Sequence, residues 1–359
     1  MISKGCELRI LFVGETWMGS SARSLREALA ELPGIYIDEI GEDHYLPKHR
    51  MLLLRLVNRL VRPFQRQDLR KEILARMRAL KPDVLIVYKG NGVGVDIVDA
   101  AKTAGAYTVN VFPDYSPHAY GHRLREAMGA YDRVVSTKPF HPAGWKSIYG
   151  YRNECVCVPH GYDPEVHYWP DPPAVQDFDV VLAASWRPQY ETLMREFCLA
   201  LGAVDLRVAL VGPGWEACRD RFPANWEITG PLYGRAYGEA VRRGKVVIAP
   251  VHSEVFIKGV QQPGDEDTTR TYELAASGCF FLHRRTPFAQ TVYDEQTEVP
   301  MWDDARELAG LVLKYLPQEH LRRSMALKAH QRAVPAYSIP ARALQVVEEI
   351  RRGMAREGC

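Results

Sequence analysis

Short uninterrupted runs of Val, Ile and Leu, each followed by a longer amphipathic stretch, recur along nearly the whole chain. A strand without polar alternation must be covered on both faces, which a parallel sheet flanked by crossover helices achieves. In the first half the runs are ELRILFV (7–13), GIYIDEI (34–40), DVLIVYK (83–89), AYTVNVF (106–112), DRVVST (132–137) and ECVCVP (154–159). The second half repeats the rhythm with FDVVLAAS (178–185), RVALVG (207–212), WEITG (226–230), KVVIAPV (245–251), CFFLHR (279–284) and EVPMW (298–302). Helices are expected between them, at 21–32, 51–80, 95–105 and 141–150 in the first half. This is the pattern of an α/β protein.

A chain of 359 residues exceeds one ordinary core, so two domains are expected. The proline-rich seam WPDPPAVQD (169–177) separates the two βα series. The expected division is a first Rossmann-like domain over 1–168, a linker over 169–177 and a second Rossmann-like domain over 178–335. A terminal segment, 336–359, is expected to form a helix crossing back to the first domain. Two such domains facing across a cleft, closed by C-terminal helices over about 318–357 with a break at Ala333–Pro340, is the fold expected. There is no internal repeat.

Composition removes several alternatives. An apolar fraction of 47% and a charged fraction of 25% are those of a globular protein, and a formal charge of +2 specifies no partner class. The seven cysteines, at 6, 155, 157, 198, 218, 279 and 359, form no CxxC pair, which points to reduced thiols rather than a disulfide frame or a zinc site. MISKGCELRILFVG runs directly into a strand with no charged-then-apolar leader, and no apolar run approaches the length that spans a bilayer. A cytoplasmic location is expected.

In open parallel sheets ligands bind at the carboxyl ends of the strands, so the loops that follow strands carry the function. After the first run, GETWMGSSARSL offers Gly19 for close backbone approach and Ser20 as a helix cap, a setting that suits a phosphate or a sugar hydroxyl and equally an ordinary turn. After the third, KGNGVGVD has glycines at 90, 92 and 94, but the spacing GxGxG departs from the dinucleotide fingerprint GxGxxG. After the fourth, PDYSPHAYGHR places Asp114 and His118 where an acid and an imidazole can meet a reacting hydroxyl. AASWRPQYET sets Arg187 just beyond a strand, where a guanidinium can fork phosphate oxygens.

The densest cluster is DEDTTRTYELAASGCFFL (265–282). A helix is expected to begin near Asp267 or Thr268 and stop at Gly278. On it Arg270, Glu273 and Ser277 share one face. The N–H groups of Thr268 and Thr269, with Arg270, suit a diphosphate, and Glu273 one turn in suits the two hydroxyls of a ribose. The plainer alternative is a capped surface helix with an Arg270–Glu273 pair.

These residues carry a resemblance. TRTYELAASGCFFLHRRTP resembles the R-x-x-E-a-x-a-x-G signature of GT-B glycosyltransferases, and more narrowly the glycosyltransferase-like family typified by the spore maturation protein CgeB. The likeness extends through ILFVGETWMGSSARSLREAL, KPDVLIVYKGNGV, VLAASWRPQ, VGPGW and ITGPLYG, and VPHGYDPEVHYW is similar to an inter-domain passage of the retaining family 4 enzymes. The resemblance implies a hexosyl-type transfer from a nucleoside-diphosphate sugar, UDP-, GDP- or dTDP-linked, to a glycan, lipid-linked or small-molecule acceptor. It implies retention of configuration and no required metal or other cofactor. By it, Glu273 binds the donor ribose, Arg187 and Arg270 neutralise the diphosphate, and His118 is the sugar-facing histidine. Many family 4 relatives carry a second glutamate eight residues before the first; here that position is Asp265, a shorter acid. That departure keeps a non-catalytic binding or coat-associated relative of the same fold as the alternative. A third reading, an NAD-dependent oxidoreductase, needs a nicotinamide site around Gly90–Gly94.

Residues 48–81 contain eleven Lys or Arg and two acids, with leucines at helical spacing. That pattern fits a helix on the inner face of a membrane, or a solvated basic face on an ordinary domain helix. Nucleic acid is not expected, because aromatics are nearly absent there.

Overall fold

The computed structural model describes residues 7–47, 52–171, 175–257 and 259–357, and within these the side chains of 52–56, 254 and 357 are not described. Lys48, Arg50, Cys6 and Cys359 lie outside the described residues, as do three residues of the proline-rich seam, 172–174.

The chain forms two compact units: residues 1–159 with 255–263 and 340–359, and residues 160–254 with 264–339. The first contains strands β1 (Leu8–Gly14), β2 (Ile35–Gly41), β3 (Val84–Tyr88), β4 (Tyr107–Phe112), β5 (Arg133–Ser136) and β6 (Glu154–Cys157). They pair in the order β2-β1-β3-β4-β5-β6, every pair parallel. The second contains β7 (Phe178–Ala183), β8 (Val208–Val211), β9 (Glu227–Thr229) and β10 (Gly244–Ala249). A separate two-stranded sheet of β11 (Glu254–Ile257) and β12 (Val260–Pro263) follows. β13 (Phe281–Arg284) and β14 (Met301–Trp302) then complete the second large sheet.

That sheet runs β14-β13-β10-β7-β8-β9, again all parallel. Counted from β7, the chain builds outward to β9, then returns to β7's other side with β10. This is the doubly wound order 3-2-1-4-5-6, whose switch point lies between β7 and β10.

All twelve expected strands form. The two-stranded sheet β11–β12 is not among the expected strands. Two helices follow their pattern closely, at Leu52–Leu80 and Val95–Thr103, whereas the stretch expected at 141–150 shrinks to one turn, His141–Gly144. The C-terminal helices are Glu319–Ala333 and Ile339–Glu357, separated where the break was expected.

Burial explains the unbroken apolar runs. Successive residues of β7 point to opposite faces: Val180 and Leu182 join one core with Phe197 and Leu308, while Val181 and Ala183 join another with Leu274 and Phe281. In the first unit, Leu69, Ile73 and Met77 of the long helix pack on Leu11, Val13, Leu85 and Val87. Each such buried aliphatic side chain contributes about 1.5–3 kcal/mol over leaving it in water. Among the described residues no helix is long and apolar enough to cross a membrane.

Candidate functional site

The switch point of the second sheet is where its candidate residues gather. β7 leaves the sheet through Ala184, Ser185 and Trp186, and Arg187 N-caps the helix Pro188–Leu201, whose first residue is proline, suited to a position that needs no N–H. The turn is clamped from β8's exit. Ala184 N donates to Val211 O at 2.9 Å, Trp186 N to Pro213 O at 2.9 Å, and the Trp215 indole N–H to Ala184 O at 2.7 Å. Gly212, at φ +142°, lies so close that a Cβ there would run into the Ala184 carbonyl. The Arg187 side chain is exposed at the end of this rigid turn.

β10 leaves through Pro250, Val251 and His252. His252 is held below its ordinary pKa by burial and by the nearby Arg187 charge, against the opposing pull of Asp265. Asp265 N donates to His252 O at 2.9 Å. Arg187, His252 and Asp265 are therefore electrostatic neighbours, drawn from three stretches of sequence.

The helix that follows spans Thr269–Ala276 with Thr268 as N-cap. Its start is fixed by a directed chain. His283 Nδ1 faces the Arg284 carbonyl at 2.6 Å, and a carbonyl only accepts, so Nδ1 carries the proton. Complete burial pushes the His283 pKa down to about 4, so the ring is neutral and Nε2 is an acceptor. The Thr271 hydroxyl, 2.8 Å away, donates to it, and its oxygen accepts the Thr268 N–H at 3.1 Å. The Thr268 N–H, expected to be open to a ligand, is thus already paired within the protein.

Arg270 does not pair with Glu273. It donates from Nη2 to Pro250 O at 3.0 Å, pinning its guanidinium to the carboxyl end of β10, and its Nε is buried with no hydrogen-bond partner. Buried donors are nearly always satisfied, so an orphaned guanidinium N–H at a helix start marks a place for an acceptor. Glu273, one turn on, is 16% exposed. Its Oε2 accepts from the Tyr237 hydroxyl at 3.0 Å, and its Oε1 lies 3.7 Å from His167 Nε2. Burial holds the His167 pKa down, with Glu273 pulling the other way. Tyr237 is pushed well above its ordinary value by burial and by Glu273, so it stays a neutral donor. Neither His167 nor Tyr237 was singled out from the sequence; the HY pair closing VPHGYDPEVHYW was the available signal for His167.

The acids at 265–267 diverge. Glu266 Oε2 accepts Phe288 N at 3.0 Å, and fully buried Asp267 accepts the Tyr272 hydroxyl at 2.7 Å. Asp265 alone faces the arginine and histidine.

In the first unit, the candidate residues sit beyond the carboxyl ends of β1 and β4. Gly19 takes φ +92°, and the buried Ser20 caps the helix Ser21–Ala30, its Oγ accepting from Ala22 N at 3.2 Å. Asp114 Oδ2 meets Lys89 Nζ at 2.7 Å and accepts the Tyr120 hydroxyl at 2.5 Å. His118 packs edge-on against Tyr149, ring centroids 5.4 Å apart. Behind it lies a second imidazole, His141, its Nδ1 2.5 Å from Ser136 Oγ and its Nε2 3.0 Å from Tyr115 O. Burial lowers the His141 pKa to about 4. The glycine triplet after β3 has a packing role: a Cβ at Gly92 would meet Leu46 and Leu69, and its N–H donates to the buried carboxylate of Glu42.

Residues 188–348 match the family model described as glycosyl transferase-like. No curated protein matches. Among solved structures the chain is similar to a sucrose-phosphate synthase from Thermosynechococcus elongatus, with 14% identity, 97% of this chain and 100% of that one covered, and a TM-score of 0.66. It is likewise similar to a glycosyltransferase from Rickettsia africae, with 11% identity, 97% and 99% covered and a TM-score of 0.68. A third is HepE from Anabaena in complex with UDP-glucose, with 11% identity, 96% and 100% covered and a TM-score of 0.65. With two parallel six-stranded sheets surrounded by helices, the fold of this chain is the GT-B fold of these glycosyltransferases.

Proposed function

We propose that this protein is a glycosyltransferase of the CgeB-like type, moving a hexosyl group from a nucleoside-diphosphate sugar to an acceptor hydroxyl with retention and without a required metal. The observation that carries the reading is the orphaned Nε of Arg270, tied to the carboxyl end of β10 at the start of the helix bearing Glu273, with Arg187 beyond the carboxyl end of the adjacent β7. The family match over 188–348 and the UDP-glucose complex of HepE support it.

In this reading the Glu273 carboxylate, oriented by Tyr237, takes the ribose hydroxyls, and Arg187, Arg270 and the Thr269 end of the helix take the diphosphate. The acceptor oxygen bonds to the anomeric carbon as the bond to the diphosphate oxygen breaks. The acceptor proton passes to the departing diphosphate. Negative charge grows on that leaving group, and fixed arginines and helix N–H groups stabilise it where it develops. Gly19 and Ser20 serve a phosphate or hydroxyl of the donor, and His118 is the sugar-facing histidine. Asp114, already paired with Lys89 and Tyr120, acts by positioning, and Asp265 takes the sugar-facing place that a glutamate holds in relatives.

The test is a thermal-shift and calorimetry panel of UDP, GDP, dTDP, ADP and NAD, each with and without EDTA. One nucleoside diphosphate should stabilise the protein, and EDTA should leave that shift unchanged. Stabilisation by NAD alone, or by nothing, overturns the proposal.

A further inference from the structure

The long helix Leu52–Leu80 is two helices in character. Among the described residues its buried positions, Leu69, Ile73 and Met77, fall in the second half. In the first half the apolar residues face the other way. Val57 is 50% exposed, Leu60 77%, Val61 38% and Phe64 73%. They are spaced i, i+3, i+4 and i+7, so they form one continuous stripe on the solvent side over two turns. A scattered exposed leucine needs no explanation, but four large apolar side chains aligned on one helix face do.

The charge around the stripe has one sign. No Asp or Glu occurs from 44 to 67, whereas Lys or Arg occurs six times. At about 100° per residue, Arg59, Arg62 and Arg66 fall on the far side of the helix from the stripe. Among the described residues these three form no ion pair. Arg66 is partly buried and crowded by Arg62 and Arg123 against the opposing pull of Glu42, and its Nε is buried without a hydrogen-bond partner. The stripe ends where the first acid appears, at the exposed pair Asp68–Lys71.

We propose that residues 57–66 are a membrane-docking face, inserting Val57, Leu60, Val61 and Phe64 among the acyl chains of a bilayer rich in anionic lipid. The helix lies in the interface plane, and the long arginine stems carry their guanidinium groups up to lipid phosphates. Charge complementarity selects this occupant. The segment from 44 to 67 carries six Lys or Arg and no acid, so an anionic leaflet attracts it as a whole, whereas the like charge of a second copy repels it. The inference does not depend on the glycosyltransferase reading, because it rests on a face remote in sequence from Arg187, Arg270 and Glu273.

The test is co-sedimentation of the full chain with phosphatidylcholine vesicles, with and without phosphatidylglycerol. Wild type should pellet with the anionic vesicles and remain in the supernatant with the neutral ones. The double variant Leu60→Gln/Phe64→Gln, altering exposed positions only, should lose roughly tenfold or more of that binding, and Arg59→Glu/Arg62→Glu should lose it as steeply with salt sensitivity abolished. Phe64→Trp should report insertion by a blue shift of its fluorescence on vesicle addition. Equal melting temperatures for wild type and the glutamine variant establish that the loss is not unfolding. Failure of wild type to bind anionic vesicles, or wild-type binding by the glutamine variant, overturns the proposal. A dimer in solution that the glutamine variant dissociates, with no vesicle binding, also overturns it and assigns the face to self-association.

Discussion

The Thr271 hydroxyl stands 2.8 Å from His283 Nε2, and this contact links the first turn of the helix Thr269–Ala276 to the buried end of β13. Because His283 Nδ1 must donate to the Arg284 carbonyl, every donor in the chain from Thr268 N through Thr271 points the same way. The arrangement holds the helix start in one geometry before any ligand arrives. Thr271→Val keeps the shape but strands the Thr268 N–H and the His283 lone pair. A loss of about 1–3 kcal/mol is expected, read as a lower melting temperature, with Thr271→Ser restoring most of it.

The same histidine makes stability depend on pH. His283 and His141 are held near pKa 4, against about 6.5 in an unfolded chain. Between those values the unfolded chain binds more protons, so stability is full above pH 6.5 and falls as pH drops towards 4. Each ring contributes at most about 3 kcal/mol across that window. Melting temperatures measured from pH 7 to pH 4.5 should fall steadily, and His283→Gln should flatten the slope. A flat wild-type profile would show that neither ring is kept neutral.

Glu273→Ala should weaken nucleoside-diphosphate binding by roughly 1.5–3 kcal/mol, the worth of hydrogen bonds to a charged group. Tyr237→Phe should give a smaller loss in the same direction, since it removes only the hydroxyl that orients the carboxylate. Calorimetry on both variants with the best nucleotide of the panel checks the order. Unchanged affinity for Glu273→Ala removes that residue from the site.

Arg187→Ala and Arg270→Ala should each cost affinity for the diphosphate and little for the free nucleoside. Of the two, Arg270→Ala should also lower the melting temperature, because its guanidinium is tied to Pro250. The exposed Arg187 should leave stability within about 0.5 kcal/mol of wild type.

Gly212→Ala tests the clamp. The added Cβ meets the Ala184 carbonyl in a backbone conformation that favours glycine, so the turn bearing Arg187 must shift. A destabilisation of about 1–3 kcal/mol is expected, together with weaker nucleotide binding although no ligand contact is removed.

Much of this was legible from the sequence. The strands were, because a strand buried on both faces needs an unbroken apolar run, and Val180–Leu182 and Val246–Ile248 supply it. The places of Arg187, just past a parallel strand, and of Glu273, one turn into a helix, were legible from the same alternation of strand and helix. The sheet β11–β12 was not: its strands hold Gln261, Gln262 and Pro263, with Gly259 between them, and polarity masked the pairing. Nor were the partners of Glu273. Spacing offered Arg270 three residues away, but the carboxylate meets Tyr237 and His167, and contacts made by folding leave no periodic trace. The glycines at 90–94 departed from the dinucleotide spacing in the sequence, and Gly92 is glycine because Leu46 and Leu69 occupy the space of a side chain.

Arg133, 1% exposed on β5, has its guanidinium bound by Glu154 from the neighbouring strand and by Glu349, more than two hundred residues later. A ribosome releases β1 to β6 long before it delivers that second carboxylate. Until the helix Ile339–Glu357 emerges, Arg133 has the Glu154 carboxylate on one arm of its guanidinium and lacks the partner of the other. The first unit is therefore completed by a segment far along the chain, and a fragment cut at Pro159 would keep all six strands yet only one of the two carboxylates that hold Arg133.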